Sequence, residues 1–374
     1  MKYYIISGEA SGDLHGSNLI KAIKRQDANA EFRCWGGDLM EAAGGSLVKH
    51  YKELAFMGFV EVLFNLRTIL KNIAFCKKDI SSWQPDALIL IDYPGFNMRI
   101  AKFAKAQNLQ VFYYISPQIW AWKQSRVKQI KQTVDKMFVI LPFEKEFYSR
   151  HGVDVEFVGH PLLDAIENLN QQQLKGELLS TYPEIDDQRK VVAVLPGSRK
   201  QEIKTKLPIM LSVIRKFPDY LFVIAAAPGM DLEFYRQFRI PENVTLIEGK
   251  TYNLLAIAHA AMVTSGTATL ETALFQVPEV VCYKGSYISY HIARRLIKVK
   301  FISLVNLIMD REIVRELIQH ELNANTLTEE LQRLTVDESY RSEMLTNYQL
   351  LIEKLGGAGA SENVAKGILA EMEG

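Results

Sequence analysis

Twice in this chain an apolar, strand-like run ends in a turn of small residues that should open a helix. Tyr3-Tyr4-Ile5-Ile6-Ser7 runs into Gly8-Glu9-Ala10-Ser11-Gly12-Asp13, and Val191-Val192-Ala193-Val194-Leu195 runs into Pro196-Gly197-Ser198-Arg199-Lys200. Such a junction gathers free backbone N–H groups and the positive end of a helix dipole at one point, which suits a phosphate. One junction opens each half of the chain. This predicts two nucleotide-type α/β domains facing each other across a cleft, and 374 residues are too many for one comfortable core.

The remaining strands of a parallel sheet should read as short, nearly continuous apolar runs separated by helical stretches. In the first half these are Ala87–Ile91, Val111–Ile115, Lys136–Ile140 and a short Phe157–Gly159, with helical patterns over Leu14–Arg25, Phe59–Ile80, Met98–Ala106 and Gln124–Val134. A polar, strand-poor segment from Leu163 to Lys190 could hold the crossing between domains. The series restarts with Val191–Leu195, Leu221–Ala225, Val244–Ile247, Ala261–Thr264 and Val280–Tyr283. Terminal helices are predicted over Ser342–Leu355 and Ser361–Met372, broken at Gly356-Gly357.

A net charge of +1 gives no global attraction to nucleic acid, and none is expected as a partner. Cys34, Cys76 and Cys282 are widely spaced with no Cys-x-x-Cys pair, as expected of buried thiols in a reducing compartment. The N-terminus enters a strand at once without signal-peptide architecture, so the expected location is cytoplasmic. Leu54–Phe75 is the most hydrophobic stretch, but Glu61, Arg67 and Lys71 interrupt it, so it fails as a transmembrane helix. Its wide apolar face beside Arg67, Lys71, Lys77 and Lys78 fits either a core helix or docking to a membrane surface. Trp120-Ala121-Trp122 precedes Lys123, Arg126, Lys128 and Lys131, a basic run that is either a solvated face or a contact for lipid headgroups or substrate phosphate.

Ligands of open α/β sheets bind beyond the carboxyl ends of the strands, so polar residues just after an apolar run count most. Asp92 follows Leu88-Ile89-Leu90-Ile91 and leads into Tyr93-Pro94-Gly95-Phe96-Asn97. It could act as a general base, or simply cap the next helix. Arg199 could clamp a diphosphate beside Gly197 and Ser198, or pair with Glu202 on a helix surface. Thr264-Ser265-Gly266-Thr267-Ala268-Thr269-Leu270-Glu271 is a third strand-to-helix junction, where Glu271 could accept from two ribose hydroxyls. The alternative is a Ser/Thr cap followed by a favourable first-turn acid. Gly-x-Gly-x-x-Gly, the Gly-x-x-x-x-Gly-Lys-Ser/Thr loop, Asp-x-Asp, Gly-x-Ser-x-Gly and any metal-ligand spacing of histidines are all missing. No cofactor and no metal are expected.

Six motifs, taken in order, resemble the lipid-A-disaccharide synthases: Ser7–Asp13, Phe56–Val62, Ser116–Trp122, Leu141–Glu144, Leu195–Arg199 and Ser265–Glu271. The resemblance runs from about Tyr3 to Leu355 and implies a GT-B fold of two Rossmann-like, doubly wound domains. The implied division is an acceptor and membrane-facing domain over residues 1–165, a UDP-sugar domain over 166–340, and C-terminal helices over 341–374 packing back toward the first domain. The implied reaction transfers a diacylglucosamine unit from UDP-2,3-diacylglucosamine to the 6-hydroxyl of 2,3-diacylglucosamine 1-phosphate. It gives a β-1,6-linked lipid A disaccharide 1-phosphate and UDP, with inversion.

By the same resemblance Asp92 is the candidate base and Arg199 the arginine at the UDP diphosphate. Gly197, Ser198, Ser265, Gly266, Thr267, Glu271 and Asn306 fall to the donor, and Gly8, Glu9, Ser11, Gly12, Met57 and Glu61 to the acceptor side of the cleft. Gly95 departs from the family's pattern, which often has a second aspartate there, so Asp92 stands as the stronger base. The acylated substrates imply a peripheral position on the cytoplasmic face of the inner membrane, with part of Leu54–Phe75 exposed near the acceptor. Terminal helices after Gly357 could exchange between subunits of a homodimer. The rival readings are an enzyme like the UDP-N-acetylglucosamine 2-epimerases, a soluble-acceptor GT-B transferase, or a non-catalytic lipid- or nucleotide-binding module.

Overall fold

Each half of the chain builds its own parallel sheet, because the apolar runs are buried on both faces and cannot leave either to water. The computed structural model describes all residues except 55–65, 123, 168, 186–187, 228, 286–298 and 374, and gives the backbone alone for 66 and 122. The chain divides into two compact units, Met1–Asp164 with Leu355–Gly374, and Ala165–Lys354.

In the first unit the strands are β1 (Lys2–Ile6), β2 (Glu31–Gly36), β3 (Ser46–His50), β4 (Ala87–Ile91), β5 (Gln110–Tyr114), β6 (Lys136–Val139) and β7 (Glu156–Phe157), in the order β3-β2-β1-β4-β5-β6-β7. All pairs are parallel, with Ile5 opposite Cys34 and Ile89 opposite Phe112. Side chains alternate across the sheet, so each strand feeds two cores. Tyr4, Ile6, Leu88 and Leu90 pack with Ile73, Cys76 and Ile80 of the helix Leu66–Trp83 and with Ile100 of the helix Pro94–Ala106. Tyr3, Ile5, Ile89 and Ile91 pack with Leu19, Ile20 and Ile23 of the helix Ala10–Gln26 and with Val364, Ala365 and Ile368 of the helix Ala360–Glu373.

The second unit repeats the plan with β8 (Lys190–Leu195), β9 (Tyr220–Ala226), β10 (Val244–Glu248), β11 (Ala258–Thr264), β12 (Glu279–Tyr283) and β13 (Arg315–Ile318), ordered β10-β9-β8-β11-β12-β13 and parallel throughout. The segment 163–190 is less bare than its composition implies, since it holds the helix Gln171–Thr181, which contributes Leu178 to the core.

The two terminal helices do not travel together, which corrects the expectation that both pack back on the first unit. Glu338–Lys354 stays in the second unit, where Met344, Tyr348 and Leu351 are buried. Ala360–Glu373 joins the first, pinned at its start by Asp164, whose carboxylate accepts from the amides of Gly359 (2.6 Å), Ala360 (3.1 Å) and Ser361 (3.1 Å). Gly356 and Gly357 break the chain between them with φ of +86° and +79°.

Candidate active site

Strand order reverses next to β1 in the first sheet and next to β8 in the second, and open α/β sheets bind ligands at that crevice. The loops that follow β1 and β4 meet at the first reversal; those that follow β8 and β11 meet at the second. The glycine turns and the polar loops singled out in the sequence therefore fall into two pairs.

In the first unit, Gly8 lies against Tyr93, whose Cγ is 2.4 Å from the place a Cβ on Gly8 would take. Asp92 and Tyr93 have φ of +43° and +49°, a region that side chains other than glycine seldom adopt. What holds Asp92 there is its own backbone. Its N–H donates to the Tyr114 carbonyl at 3.2 Å, and its carbonyl accepts from Tyr113 Oη at 2.6 Å and Asn97 Nδ2 at 2.7 Å. Ile115, at the end of β5, adds a third positive φ of +63°.

The Asp92 carboxyl is half-buried, and burial pushes its pKa up to about 6, with the nearby Glu9 carboxylate adding to the rise. Such a group is charged at neutral pH yet basic enough to accept a proton. Glu9 precedes the helix Ala10–Gln26, Ser11 is exposed in its first turn, and Gly12 packs on Ser7, whose Cβ lies 2.7 Å from the place of a Gly12 side chain. Met57 and Glu61 lie outside the described residues, as does the motif Phe56–Val62.

Two further motifs are spent on each other. Ser116 donates to Glu144, which also accepts from the amides of Ile140 (3.2 Å) and Leu141 (2.9 Å), while Trp120 meets the Phe143 ring edge-on at 4.9 Å. Burial raises the Glu144 pKa to about 7, against the pull of those hydrogen bonds.

In the second unit, Gly197 has φ of +122°, and Arg199 precedes the helix Lys200–Val213 with a side chain that is 63% exposed. Ser198 is exposed beside it. At the paired loop, Gly266 (φ +151°) and Thr267 are exposed at the start of the helix Thr267–Leu274, and Ser265 Oγ donates to the Ile302 carbonyl at 2.8 Å. Glu271 is half-buried and accepts from Tyr252 Oη at 2.7 Å; burial raises its pKa. Helix-opening N–H groups, an arginine and hydroxyls thus follow the neighbouring strands β8 and β11, groups of the kind that suit an anion.

Asn306 corrects the expectation of a donor-side ligand. It is fully buried, and its Nδ2 donates to the Val314 carbonyl (2.8 Å) and Glu316 Oε1 (2.9 Å), while its Oδ1 accepts from the amides of Ile313 (2.7 Å) and Val314 (3.0 Å). An amide side chain with both donors and both lone pairs spent has nothing left for a ligand. Its neighbour Glu316, which sequence reasoning missed, also accepts from the amides of Ile302 and Ser303 and from Ser303 Oγ. This network fixes the segment whose Ile302 carbonyl receives Ser265. Nothing in the pattern Arg-Glu-Leu-Ile distinguishes such a glutamate from a surface one.

Among the described residues no group of three or more His, Cys, Asp or Glu could hold a metal ion, and no helix is long and apolar enough to cross a membrane. The lipid-A-disaccharide synthetase family model matches residues 3–368. The chain is 40% identical over 376 residues to the lipid-A-disaccharide synthase of Geobacter metallireducens, covering 99% of this chain and 97% of that one. Against the enzyme of the same name from Syntrophus aciditrophicus it is 41% identical over 369 residues, covering 96% and 95%. Among solved structures, the UDP-GlcNAc 2-epimerase of Neisseria meningitidis bound to UDP-GlcNAc superposes with a TM-score of 0.66 at 14% identity, covering 100% and 99% of the two chains. That likeness is one of fold alone.

Proposed function

The chain belongs to the lipid-A-disaccharide synthase family, and from that premise we propose how the residues of this GT-B glycosyltransferase divide its work in lipid A biosynthesis. It acts on a UDP-sugar and a lipid acceptor. The donor is UDP-2,3-diacylglucosamine, the acceptor 2,3-diacylglucosamine 1-phosphate, and the products are the β-1,6-linked disaccharide 1-phosphate and UDP.

The second unit holds the donor nucleotide. Arg199 and the backbone donors of the turns at Gly197 and Ser265–Thr267 meet the diphosphate, with Ser198 beside them, and Glu271 accepts from ribose hydroxyls. As the bond from the anomeric carbon to the diphosphate oxygen breaks, negative charge grows on the phosphates, and preorganised donors speed the step to the extent that they bind that charge more strongly. The first unit supplies the base. Asp92 takes the proton of the acceptor 6-hydroxyl as its oxygen attacks the face opposite the leaving group, which gives inversion. Glu9, Ser11, Gly8 and Gly12 shape the loop beside it, and Met57 and Glu61 belong to the same acceptor side.

The observation that carries this reading is the strained Asp92 at the first strand reversal, held by three backbone hydrogen bonds with a carboxyl titrating near 6. A capping aspartate would need none of this strain. An exposed basic and apolar face supports docking to the cytoplasmic surface of the inner membrane. On the helix Leu66–Trp83, Leu70 and Phe75 are 52% and 48% exposed, beside exposed Arg67, Lys71 and Lys78. The test of the whole reading is UDP release from UDP-diacylglucosamine with two acceptors offered separately. Release with diacylglucosamine 1-phosphate and none with N-acetylglucosamine 1-phosphate supports it; release with the soluble acceptor alone contradicts it.

A further inference from the structure

The second glycine turn carries a carboxylate that a diphosphate site would do better without. Glu202 leans over Gly197, with its Oε2 2.7 Å and its Cβ 3.1 Å from the place a Gly197 side chain would take. Glu202 Oε1 lies 3.5 Å from Arg199 Nη1, and its Oε2 lies 3.9 Å from Lys206 Nζ. Exposure falls steadily along this line, from 63% at Arg199 through 31% at Glu202 to 2% at Lys206. The charges alternate from the surface inward, plus, minus, plus.

A lysine so deeply buried is costly to keep charged. Burial lowers the Lys206 pKa, while Glu202 raises it. Glu202 is the paired anion, one helical turn before Lys206 on the same face. Without Lys206 the carboxylate would keep its full charge beside the turn, hold Arg199 to itself, and repel an arriving phosphate.

We propose that Lys206 is a positioning residue for the donor diphosphate: it neutralises Glu202 from below, so that Arg199 can leave that carboxylate and close on the phosphates. Glu202 keeps Arg199 at the turn while the site waits, and Lys206 stabilises Glu202 once Arg199 has moved. The inference rests on the reading of the Gly197–Arg199 turn as the diphosphate site.

The experiment is calorimetric titration of the full chain with UDP and, as a probe without phosphate, with uridine. Lys206→Met should weaken UDP binding by about tenfold or more, the effect of one uncompensated charge a few ångströms from the ligand. It should leave uridine affinity within roughly twofold, which a merely structural lysine would not do. Lys206→Arg should bind UDP nearly as the wild type does, and Lys206→Met with Glu202→Gln should recover most of the loss.

Unchanged UDP binding in Lys206→Met, equal losses of UDP and uridine, or a double variant as weak as the single one would overturn the proposal. If Lys206→Met fails to fold, Glu202→Gln alone decides. It should bind UDP at least as tightly as the wild type, and weaker binding overturns the proposal. Arg199→Ala separates this inference from its premise. Unchanged UDP affinity in Arg199→Ala removes the diphosphate site itself, whereas weakened affinity there with none in Lys206→Met removes only the role of Lys206.

Discussion

The ring of Tyr93 occupies the space that a side chain on Gly8 would need, with Cγ, Cδ2 and Cδ1 2.4, 2.5 and 2.7 Å from its Cβ position. The turn after β1 and the loop after β4 are thereby one unit. Gly8→Ala must push Tyr93 away and carry Asp92, its neighbour in the chain, with it. A displacement of about 1 Å at a reacting group can cost about 10²-fold. Turnover should fall by that order while UDP affinity, which the proposed function assigns to the second unit, stays put. Steady-state kinetics beside UDP titration checks this, and a variant with normal turnover would show that the contact relaxes harmlessly.

The raised Asp92 pKa makes two pH predictions of opposite sense. A base must be ionised, so kcat/KM should drop about tenfold per unit as pH falls below about 6. Stability runs the other way. The folded carboxyl titrates near 6 against an ordinary 3.8, so the folded state binds the extra proton in that window, and the contribution present below 3.8 is lost as pH rises through 6. Asp92→Asn should therefore raise stability at pH 7, by roughly 1–2 kcal/mol for a half-buried group. Denaturant melts at pH 4 and pH 7 test the sign, and an equal or larger gain at pH 4 would contradict it.

Glu316 gathers donors from Ile302, Ser303 and Asn306 behind Ser265. Glu316→Gln replaces a charged acceptor with an amide that must face some of those donors with its own N–H₂. A loss of about 1–3 kcal/mol is expected, with weaker UDP binding because the Ile302 carbonyl no longer fixes Ser265. A melting temperature equal to wild type would mean that the network reorganises around the glutamine.

Leu70 and Phe75 stand out among exposed apolar residues because arginine and lysine flank them on one helix. Leu70→Ser with Phe75→Ser should lower flotation with anionic phospholipid vesicles severalfold and leave UDP binding alone. Unchanged flotation would assign the face to another role.

Much of the fold is legible in the order of residues alone, and what escapes has physical reasons. Strands β1, β4, β5 and β8 are buried along nearly all their length and read as apolar runs, as does the buried end of β11, Ala261–Thr264. Strands β2, β3 and β13 escape the sequence pattern. β3 and β13 lie at sheet edges and carry Lys49, Arg315 and Glu316, while β2 carries Arg33, which is paired with Asp79 at 2.7 Å. A charge that has found a partner looks, in sequence, like a charge in water. Asn306 is hidden for the same reason, since its motif position points to a ligand and only the surrounding amides reveal that its hydrogen-bonding capacity is taken. Asp92 is legible by position after an apolar run, but its strained backbone is held by Tyr113 and Asn97, and its raised pKa comes from burial with Glu9 adding to it, none of which the chain order displays.

In the proposed reading the two strand reversals divide the labour, with the base at the first and the nucleotide at the second. Turnover of Asp92→Asn, measured as UDP release at saturating donor and acceptor, decides whether they do. A loss of about 10²–10⁴-fold is expected, with UDP affinity within roughly twofold of wild type, since the asparagine tolerates the same positive φ. Near-normal turnover in a folded Asp92→Asn protein would refute the division and put the base elsewhere.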